Sequence, residues 1–591
     1  MSKLTFRIGM PEPHTHLFEV AVEVQAPNED LVFEMPAWTP GSYLIREYAR
    51  QVQDVTAYDQ QGNERPVQKV EKAAWRVDCD GCASISLQYR VYAHDLTVRT
   101  SHLDTSHGYF NGANVFMCPR GYEGESSLLV VDPPFDWRVS VALPEVQENC
   151  YQVRDFDQLV DSPVECGSHT EVVFDAAKTR HRWVSWGDAF DVTPHVDDVR
   201  SVIEKEVELF GELPSDVEDY LFICHVQDRR NGGLEHANSQ TIGIDRRTST
   251  HAQSYEDFIT LVAHEYFHVW NVKRIRAEGL GPFDYSQEAY TPLLWMMEGI
   301  TGYYDTLIPV RAGLMPVERY LEILGERIGS LRSQPGRFVR SLEESSMDAW
   351  IKLYRPDENT PNSTISYYLK GELVALLLDL TIRERTDGTK SLDDVMRTLW
   401  VRQRDTNEAI RPNEVEGIFA TATGLDLSEE LKAWTQEKKD LPFERLFAGA
   451  GLSICGTHTK TFDRSRLIEG AVKSPAPWLG IRTHVVGGKT IIRHVLSDSP
   501  ASEAGLNPGD ELIALGGLRV SHGTWMAQLA LENDGAKIDV VIARRKRLMT
   551  LHAVLGEAPH DRFTVRLNKE ASTDQCKRLE AWLEQPWTAA S

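Results

Sequence analysis

Val262-Ala263-His264-Glu265-Tyr266-Phe267-His268-Val269-Trp270 is the stretch from which the rest of the chain can be read. Its centre, HEYFH, has the form H-E-x-x-H. A step of four on a helix stacks His264 and His268 on one face, where two neutral imidazoles can grip a zinc ion. Glu265 projects from nearly the same side, close enough to take a proton from an attacking water without being a ligand. A helix is expected here on independent grounds. Ser254, three residues before Asp257, reads as its start, and Phe258, Leu261, Val262 and Val269 form an apolar stripe at helical spacing. So short a motif also occurs by chance, as a surface or core pair of histidines on an ordinary helix, and its companions must decide.

A third ligand has to come from further on. The loop from Asn271 to Tyr290 carries Lys273, Arg274 and Arg276. A metzincin would need Gly and His three and six residues past His268, but Asn271 and Arg274 stand there, which excludes that class. Thr291-Pro292 reads as an N-cap followed by a first-turn proline, so a helix is expected from there to about Ile308, before Pro309. Within Leu294-Trp295-Met296-Met297-Glu298-Gly299-Ile300 the one carboxylate, Glu298, sits among apolar neighbours. Burying it is costly unless it is paired or bound to a cation. Glu298 is therefore the candidate third ligand; a salt-bridged structural role is the alternative. Glu278, Asp284 and Glu288 compete less well, because all three sit in the loop.

Two further stretches bear on the same chemistry. Asn231-Gly232-Gly233-Leu234-Glu235-His236 follows the strand-like YLFICHV, and its two glycines suggest an edge strand or tight turn whose backbone can approach a ligand closely. Glu235 is then placed to receive a free α-amine through a charge-assisted hydrogen bond. A plain hairpin turn with a solvated Glu235 reads equally well. Ile365-Ser366-Tyr367-Tyr368-Leu369-Lys370-Gly371-Glu372 opens the apolar run LVALLLDLTI, and a phenol near that helix start can donate to an oxyanion. On residues alone, Tyr367 and Tyr368 remain open, and either could simply be core.

At 591 residues the chain exceeds what one core organises, so three or four domains are expected. Residues 1–175 alternate apolar and polar positions in segments such as HLFEVAVEVQA and SISLQYRVYA, and read as a β-domain. Within it, Trp38-Thr39-Pro40-Gly41-Ser42-Tyr43 reads first as a packed turn with a buried Trp, and second as a loop leaning on the functional site. Residues 176–450 form the candidate catalytic domain, mixed sheet then helices, with DDVMRTLWVRQ and SEELKAWTQEK as amphipathic scaffold. Residues 451–475, ending in a Pro-rich break, read as a linker. Residues 476–556 form another domain, and 557–591 a C-terminal segment with a helix.

Apolar residues make up 41% of the chain and charged residues 26%, as in ordinary globular proteins. With 88 acidic against 63 basic residues, the formal charge of −25 repels phosphates and anionic membranes, so neither nucleic acid nor membrane is expected as a partner. The eight scattered cysteines read as reduced thiols. The start, MSKLTFRIGM, has no apolar signal-peptide core, and no run of about 18 apolar residues occurs, so a cytoplasmic location is expected.

Trp478-Leu479-Gly480-Ile481, with Ser499-Pro500-Ala501-Ser502-Glu503-Ala504-Gly505-Leu506-Asn507-Pro508-Gly509-Asp510 beyond it, resembles PDZ domains of bacterial protease type. The resemblance implies that Leu479, Gly480 and Ile481 form the loop at a groove taking a peptide strand by β-augmentation; a groove filled internally is the alternative. HEYFH, MEGI and NGGLEH in this order, with WTPGSYLIREYAR before them and a PDZ-like domain after, resemble the glycyl aminopeptidase family of gluzincin metallopeptidases. That resemblance implies a multidomain α+β chain: an N-terminal β-domain, a thermolysin-like catalytic domain with a helical subdomain, and a C-terminal PDZ domain. It further implies one zinc on His264, His268 and Glu298, and removal of N-terminal residues from peptides, with small ones such as Gly and Ala preferred.

More distantly the chain is similar to the alanyl aminopeptidase group, whose G-x-M-E-N segment anchors the substrate amine and whose Y-x-K-G tyrosine stabilises the oxyanion. Gly232-Gly233-Leu234-Glu235-His236 matches the first in part, and Tyr368-Leu369-Lys370-Gly371 matches the second fully, which favours Tyr368 over Tyr367. The gap between His268 and Glu298 is longer than in that group, and the loop carrying Arg274 and Arg276 accounts for the excess. Two alternatives stand beside this reading. One is a zinc endopeptidase with PDZ-presented substrates, the other a non-catalytic PDZ scaffold with a residual zinc site.

Overall fold

The computed structural model describes residues 3–27, 30–187, 190–228, 232–457 and 477–586. Two compact units divide the chain. The first comprises Met1–Thr291, Tyr304–Leu314 and Met396–Glu414, and the second Pro292–Tyr303, Met315–Val395 and Val415–Ser591.

The first unit opens with the β-rich region that the alternating pattern predicts. In Leu17–Gln25, Phe18, Val20, Val22 and Val24 turn inward while the residues between them face out, as the two-residue period of a strand requires. Fully burying each such side chain stabilises the fold by about 1.5–3 kcal/mol. An eight-stranded sheet results, in the order 145–147, 150–153, 127–132, 4–9, 17–25, 84–92, 52–59, 64–65. Leu4–Gly9 runs parallel to Ser127–Asp132 and antiparallel to Leu17–Gln25. Two four-stranded sheets complete this region and enclose a core containing Phe6, Phe33, Trp75, Phe110 and Phe116.

A five-stranded sheet follows in the same unit, ordered 170–176, 179–186, 219–227, 239–245, 232–235. Asp219–Gln227 lies at its centre, parallel to both neighbours, and seven of its nine residues are buried. That explains the unbroken apolar run YLFICHV, since a parallel strand covered on both faces loses the alternation. Gly232–Glu235 pairs antiparallel with Ser239–Asp245 and forms the sheet edge, the first of the two conformations anticipated for the paired glycines. Asn231 lies outside the described residues.

The helix Ala252–Phe267 packs on Ser239–Asp245 and Gly232–Glu235. Its start is not Ser254: His251 is the N-cap, and its ring accepts a hydrogen bond from the Ser254 amide, so Ser254 falls in the first turn. An imidazole can do what a hydroxyl usually does there, and the serine pattern misplaced the boundary by three residues.

The second unit contains the start of another helix. The Thr291-Pro292 signal predicts its start too early. Helical winding begins at Leu294 with a wide π turn, Trp295–Gly299, and continues as Ile300–Arg311, the last eight residues of which belong to the first unit. Pro309 does not end it. A proline removes one donor from the ladder, and the amide of Ala312 still reaches the Ile308 carbonyl beyond it.

Tyr367–Arg385 is buried on nearly every side, which explains why its sequence shows no polar face. The amphipathic helix Leu392–Thr406 begins in this unit and passes into the first; Val415–Thr423 and Phe443–Gly449 belong to the second. The expected linker 451–475 opens with a strand, Leu452–Thr457, that pairs with Arg562–Leu567 from the C-terminal segment, while residues 458–475 lie outside the described residues. Gly325 and Gly329, one turn apart on the helix Val317–Arg332, let the carbonyls of Phe563 and Asp561 come so close that a methyl group at either glycine would collide with backbone.

Residues 477–557 form a small β-structure whose sheet runs 481–486, 489–495, 511–515, 537–544, 547–554, with the helices Pro500–Glu503 and Trp525–Leu529 against it. Ile492, Leu512, Val540 and Ile542 fill its core. The C-terminal segment carries the expected helix, Thr573–Leu583. No helix among the described residues is long and apolar enough to cross a membrane, and all eight cysteines are free thiols.

Candidate active site

His264 lies in the last turn of Ala252–Phe267, and His268 is its C-cap residue, still in right-handed helical conformation, so the four-residue step survives the helix end. The two imidazoles stand edge to face with centroids 4.8 Å apart. Each has its Nδ1 engaged: His264 with Asp305 Oδ2 at 3.0 Å, and His268 with the Asn271 carbonyl at 2.7 Å. A carbonyl oxygen and a carboxylate can only accept, so both Nδ1 atoms carry a proton, and in the neutral form of each ring the lone pair falls on Nε2. Such oriented, neutral imidazoles are what a divalent transition metal binds, and the donor set fits zinc. Asp305 reaches His264 from the helix Ile300–Arg311, whose Tyr304 stacks on Phe267 at 4.8 Å.

Asp305 was missed in the sequence. It lies seven residues after Glu298, two helical turns on and therefore on nearly the same face. That spacing was the available signal.

Glu265 is 4% exposed and lies under the edge strand. A Cβ on Gly233 would sit 2.1 Å from Glu265 Oε1, so only glycine allows this approach. The paired glycines thus bring backbone up to the carboxylate of the central motif. Gly232 has φ +77°, and Arg99 holds the Gly233 carbonyl at 2.9 Å. Glu235 is buried, at 5% exposure, and ligand atoms of Glu235, Glu265 and His268 all lie within 4.8 Å of one another. This excludes the solvated-rim alternative for Glu235.

The Trp38 loop is the packed turn with a buried Trp, and it also lies against Glu235. Trp38 is fully buried, and a Cβ at Gly41 would stand 2.6 Å from Glu235 Oε1. Trp38, Gly41 and Tyr43 share with Glu235, Lys273, Arg274 and Arg276 the lining of a cleft of about 270 Å³. His236, which stands where the alanyl aminopeptidase pattern has Asn, binds Asp161 through Nδ1 at 3.1 Å, and Lys273 binds the same carboxylate at 2.6 Å. Burial alone would push Asp161 up, but Lys273 and His236 together hold it down at about 2.

In the second unit, Glu298 sits in the π turn and is 2% exposed. Its neighbour Gly299 meets Gly371 so closely that an added Cβ would lie 2.6 Å from the Gly371 Cα. The MEGI and YLKG motifs therefore touch through their glycines, which fixes Glu298 relative to the helix carrying the tyrosines. Tyr367 is buried, whereas Tyr368 is half-buried, with its hydroxyl 3.1 Å from that of Tyr354. In the C-terminal region, Leu479 is buried in the local core, Gly480 has φ +81°, and Ile481 begins an edge strand. The Leu479 and Gly480 carbonyls accept from the Ala501 and Leu496 amides.

Residues 5–168 match the family model described as Peptidase M61 N-terminal domain, and residues 257–374 the model described as M61 glycyl aminopeptidase. Among solved structures, an aminopeptidase N family protein from Idiomarina loihiensis is 28% identical, with a TM-score of 0.90 over 98% of this chain and 100% of that one. An M1 zinc metallopeptidase from Deinococcus radiodurans is 11% identical, with a TM-score of 0.48 over 74% of this chain and 94% of that one. Yeast LTA4 hydrolase in complex with bestatin is 13% identical, with a TM-score of 0.45 over 74% and 68%. The comparison with curated proteins gives no match. His264, Glu265, His268, Glu298 and Tyr368 all fall inside the second matched segment. The chain is a metallopeptidase, two segments of which match the models described as Peptidase M61 N-terminal domain and M61 glycyl aminopeptidase.

Proposed function

We propose that the protein is a zinc aminopeptidase that removes the first residue of peptides, with small residues such as Gly and Ala preferred. The observation that carries this reading is the buried carboxylate of Glu235 beside Glu265 and His268. A carboxylate there binds an α-ammonium and sets the distance from the chain end to the reacting bond. The preference for small residues rests on the description of the matched family model.

His264, His268 and Glu298 are the residues that would hold the metal. Support for Glu298 comes from its place two turns before Asp305, the partner of His264, along one run of helix. When bound, zinc supplies a Lewis acid toward the peptide carbonyl and makes water nucleophilic near neutral pH.

Glu265 takes the proton released as water attacks and later hands it to the departing amine nitrogen, so protons balance over the cycle. Burial of Glu265 beneath the edge strand suits that shuttle, because few waters compete for the proton. Tyr368 donates a hydrogen bond to the oxygen that becomes negative as the carbonyl carbon turns tetrahedral. Its partial exposure, against the full burial of Tyr367, supports the choice between them.

Residues 476–556 are read as a PDZ domain whose edge strand Ile481–Val486, led in by Leu479 and Gly480, accepts an extended peptide. The unpaired cysteines suit a cytoplasmic setting. The test compares a glycyl or alanyl peptide with its N-acetylated twin, with and without chelator. Cleavage of the free-amine peptide alone, abolished by chelator, is the expected result; equal cleavage of the blocked peptide would replace the aminopeptidase by the endopeptidase.

A further inference from the structure

We propose a second site for a divalent transition-metal ion, held by His102, Asp104 and His107 in the N-terminal region. The three residues lie in the sequence His102-Leu103-Asp104-Thr105-Ser106-His107, folded as a hairpin: His102–Leu103 pairs antiparallel with His107–Phe110, and Asp104 begins the turn between them. One ligand atom from each of the three lies within 4.8 Å of the others. His102 is 7% exposed and His107 fully buried.

The nitrogen atoms are what make this a site rather than a stack of rings. Neither ring nitrogen of His102, nor Nε2 of His107, has a hydrogen-bond partner among the described residues, although all three are buried. His102 Nε2 and Asp104 Oδ2 stand 3.3 Å apart but are not aligned as donor and acceptor. Two ligands each about 2.0–2.1 Å from one ion at a tetrahedral angle would stand about 3.3 Å apart. The observed 3.3 Å, that of a direct ion pair when His102 is protonated, also matches the span of two atoms sharing one ion.

The surroundings fit the same assignment. His107 Nδ1 bonds Glu165 at 2.8 Å, and the other oxygen of that carboxylate bonds His225 Nε2 at 2.9 Å. Glu165 thereby orients His107 with its proton on Nδ1, leaving Nε2 as the ligating nitrogen, the arrangement of a carboxylate behind a metal-bound imidazole. Trp186 stacks on the His107 ring at 4.0 Å and fixes its plane. Asp104 Oδ1 is occupied by the Ser106 amide and hydroxyl and the His107 amide, which hold its carboxylate in place. The Asp104 side chain is 34% exposed, so an ion has an entry path. Two imidazoles and one carboxylate select zinc, cobalt or nickel over calcium or magnesium, whose ligands are oxygens. No residue of this set belongs to the peptidase machinery, so the ion would tie the hairpin to Glu165 and His225 rather than take part in hydrolysis.

The test titrates Zn²⁺ into the chelator-treated full chain by calorimetry, for the wild type, Asp104→Asn and His102→Gln. Asparagine keeps the Oδ1 acceptor that caps the turn, so Asp104→Asn preserves the hairpin. The expected result is one zinc fewer per chain in each variant than in the wild type, with far-ultraviolet circular dichroism unchanged in Asp104→Asn. Because His264 and His268 are intact throughout, the proposed peptidase metal contributes equally to all three proteins, and its presence or absence does not alter the difference. Equal zinc stoichiometry in the wild type and Asp104→Asn would overturn the proposal.

Discussion

His264 donates through Nδ1 to Asp305 Oδ2 at 3.0 Å, across the 41 residues that separate them in the chain. The carboxylate fixes the tautomer and the ring plane of the imidazole, and so decides which nitrogen meets a metal. Asp305→Ala is expected to lower zinc affinity about 10- to 100-fold without unfolding the chain. Competition against a chelator of known affinity measures this, and unchanged affinity would remove Asp305 from the site.

Glu235 is expected to act on substrate binding through the charge of the α-amine. In Glu235→Gln, kcat/KM for free-amine peptides should fall while the weak cleavage of N-acetylated ones, if any, stays constant. Steady-state kinetics on matched substrates gives the ratio, and a parallel loss on both would show a structural role instead.

Tyr368→Phe should lower kcat with little change in KM. If its hydroxyl matters as much as a typical oxyanion donor, the loss corresponds to about 2.7 to 4 kcal/mol of barrier. Tyr367→Phe, changed at a fully buried ring, should leave kcat within a few fold. Reversal of the two results would move the role to Tyr367.

Lys370 is 1% exposed, its Nζ has no hydrogen-bond partner among the described residues, and burial pushes the ammonium from its ordinary 10.5 down to about 8. Below pH 8 both folded and unfolded chains carry the proton, and the burial cost is present in full. Between about 8 and 10.5 the folded chain has released a proton that the unfolded chain keeps, so this group makes stability rise with pH in that window. Lys370→Met should therefore raise the melting temperature at pH 7, removing a cost on the order of 3 kcal/mol, and flatten the rise above pH 8. Melting curves from pH 7 to 10 test it; a variant less stable at pH 7 would mean that the ammonium has a partner in solution.

What the sequence made legible was local. The spacing of His264, Glu265 and His268, the alternation in Leu17–Gln25 and the unbroken run in Asp219–Gln227 each follow from the period of a single element. What it hid was contact between distant elements. Nothing at position 41 says that the loop carrying Trp38 presses on Glu235, and only the absent Cβ at Gly41 records it. The helix ends were misread where an unusual group did a common job, as with the His251 ring in place of the expected Ser254 hydroxyl. Asp305 was legible in principle through its seven-residue spacing from Glu298, but a carboxylate that orients a ligand carries no motif of its own. His102, Asp104 and His107, the proposed second site, share no helical spacing, because a hairpin rather than a helix brings them together.

The central claim is that Glu265 moves protons while other residues hold the metal, and Glu265→Gln separates the two. Zinc content of the purified variant, measured beside its turnover of an alanyl anilide, tests this most directly. The account predicts zinc content equal to that of the wild type and turnover reduced about 100-fold or more. Turnover at the wild-type rate, or loss of the zinc along with it, would contradict the assignment.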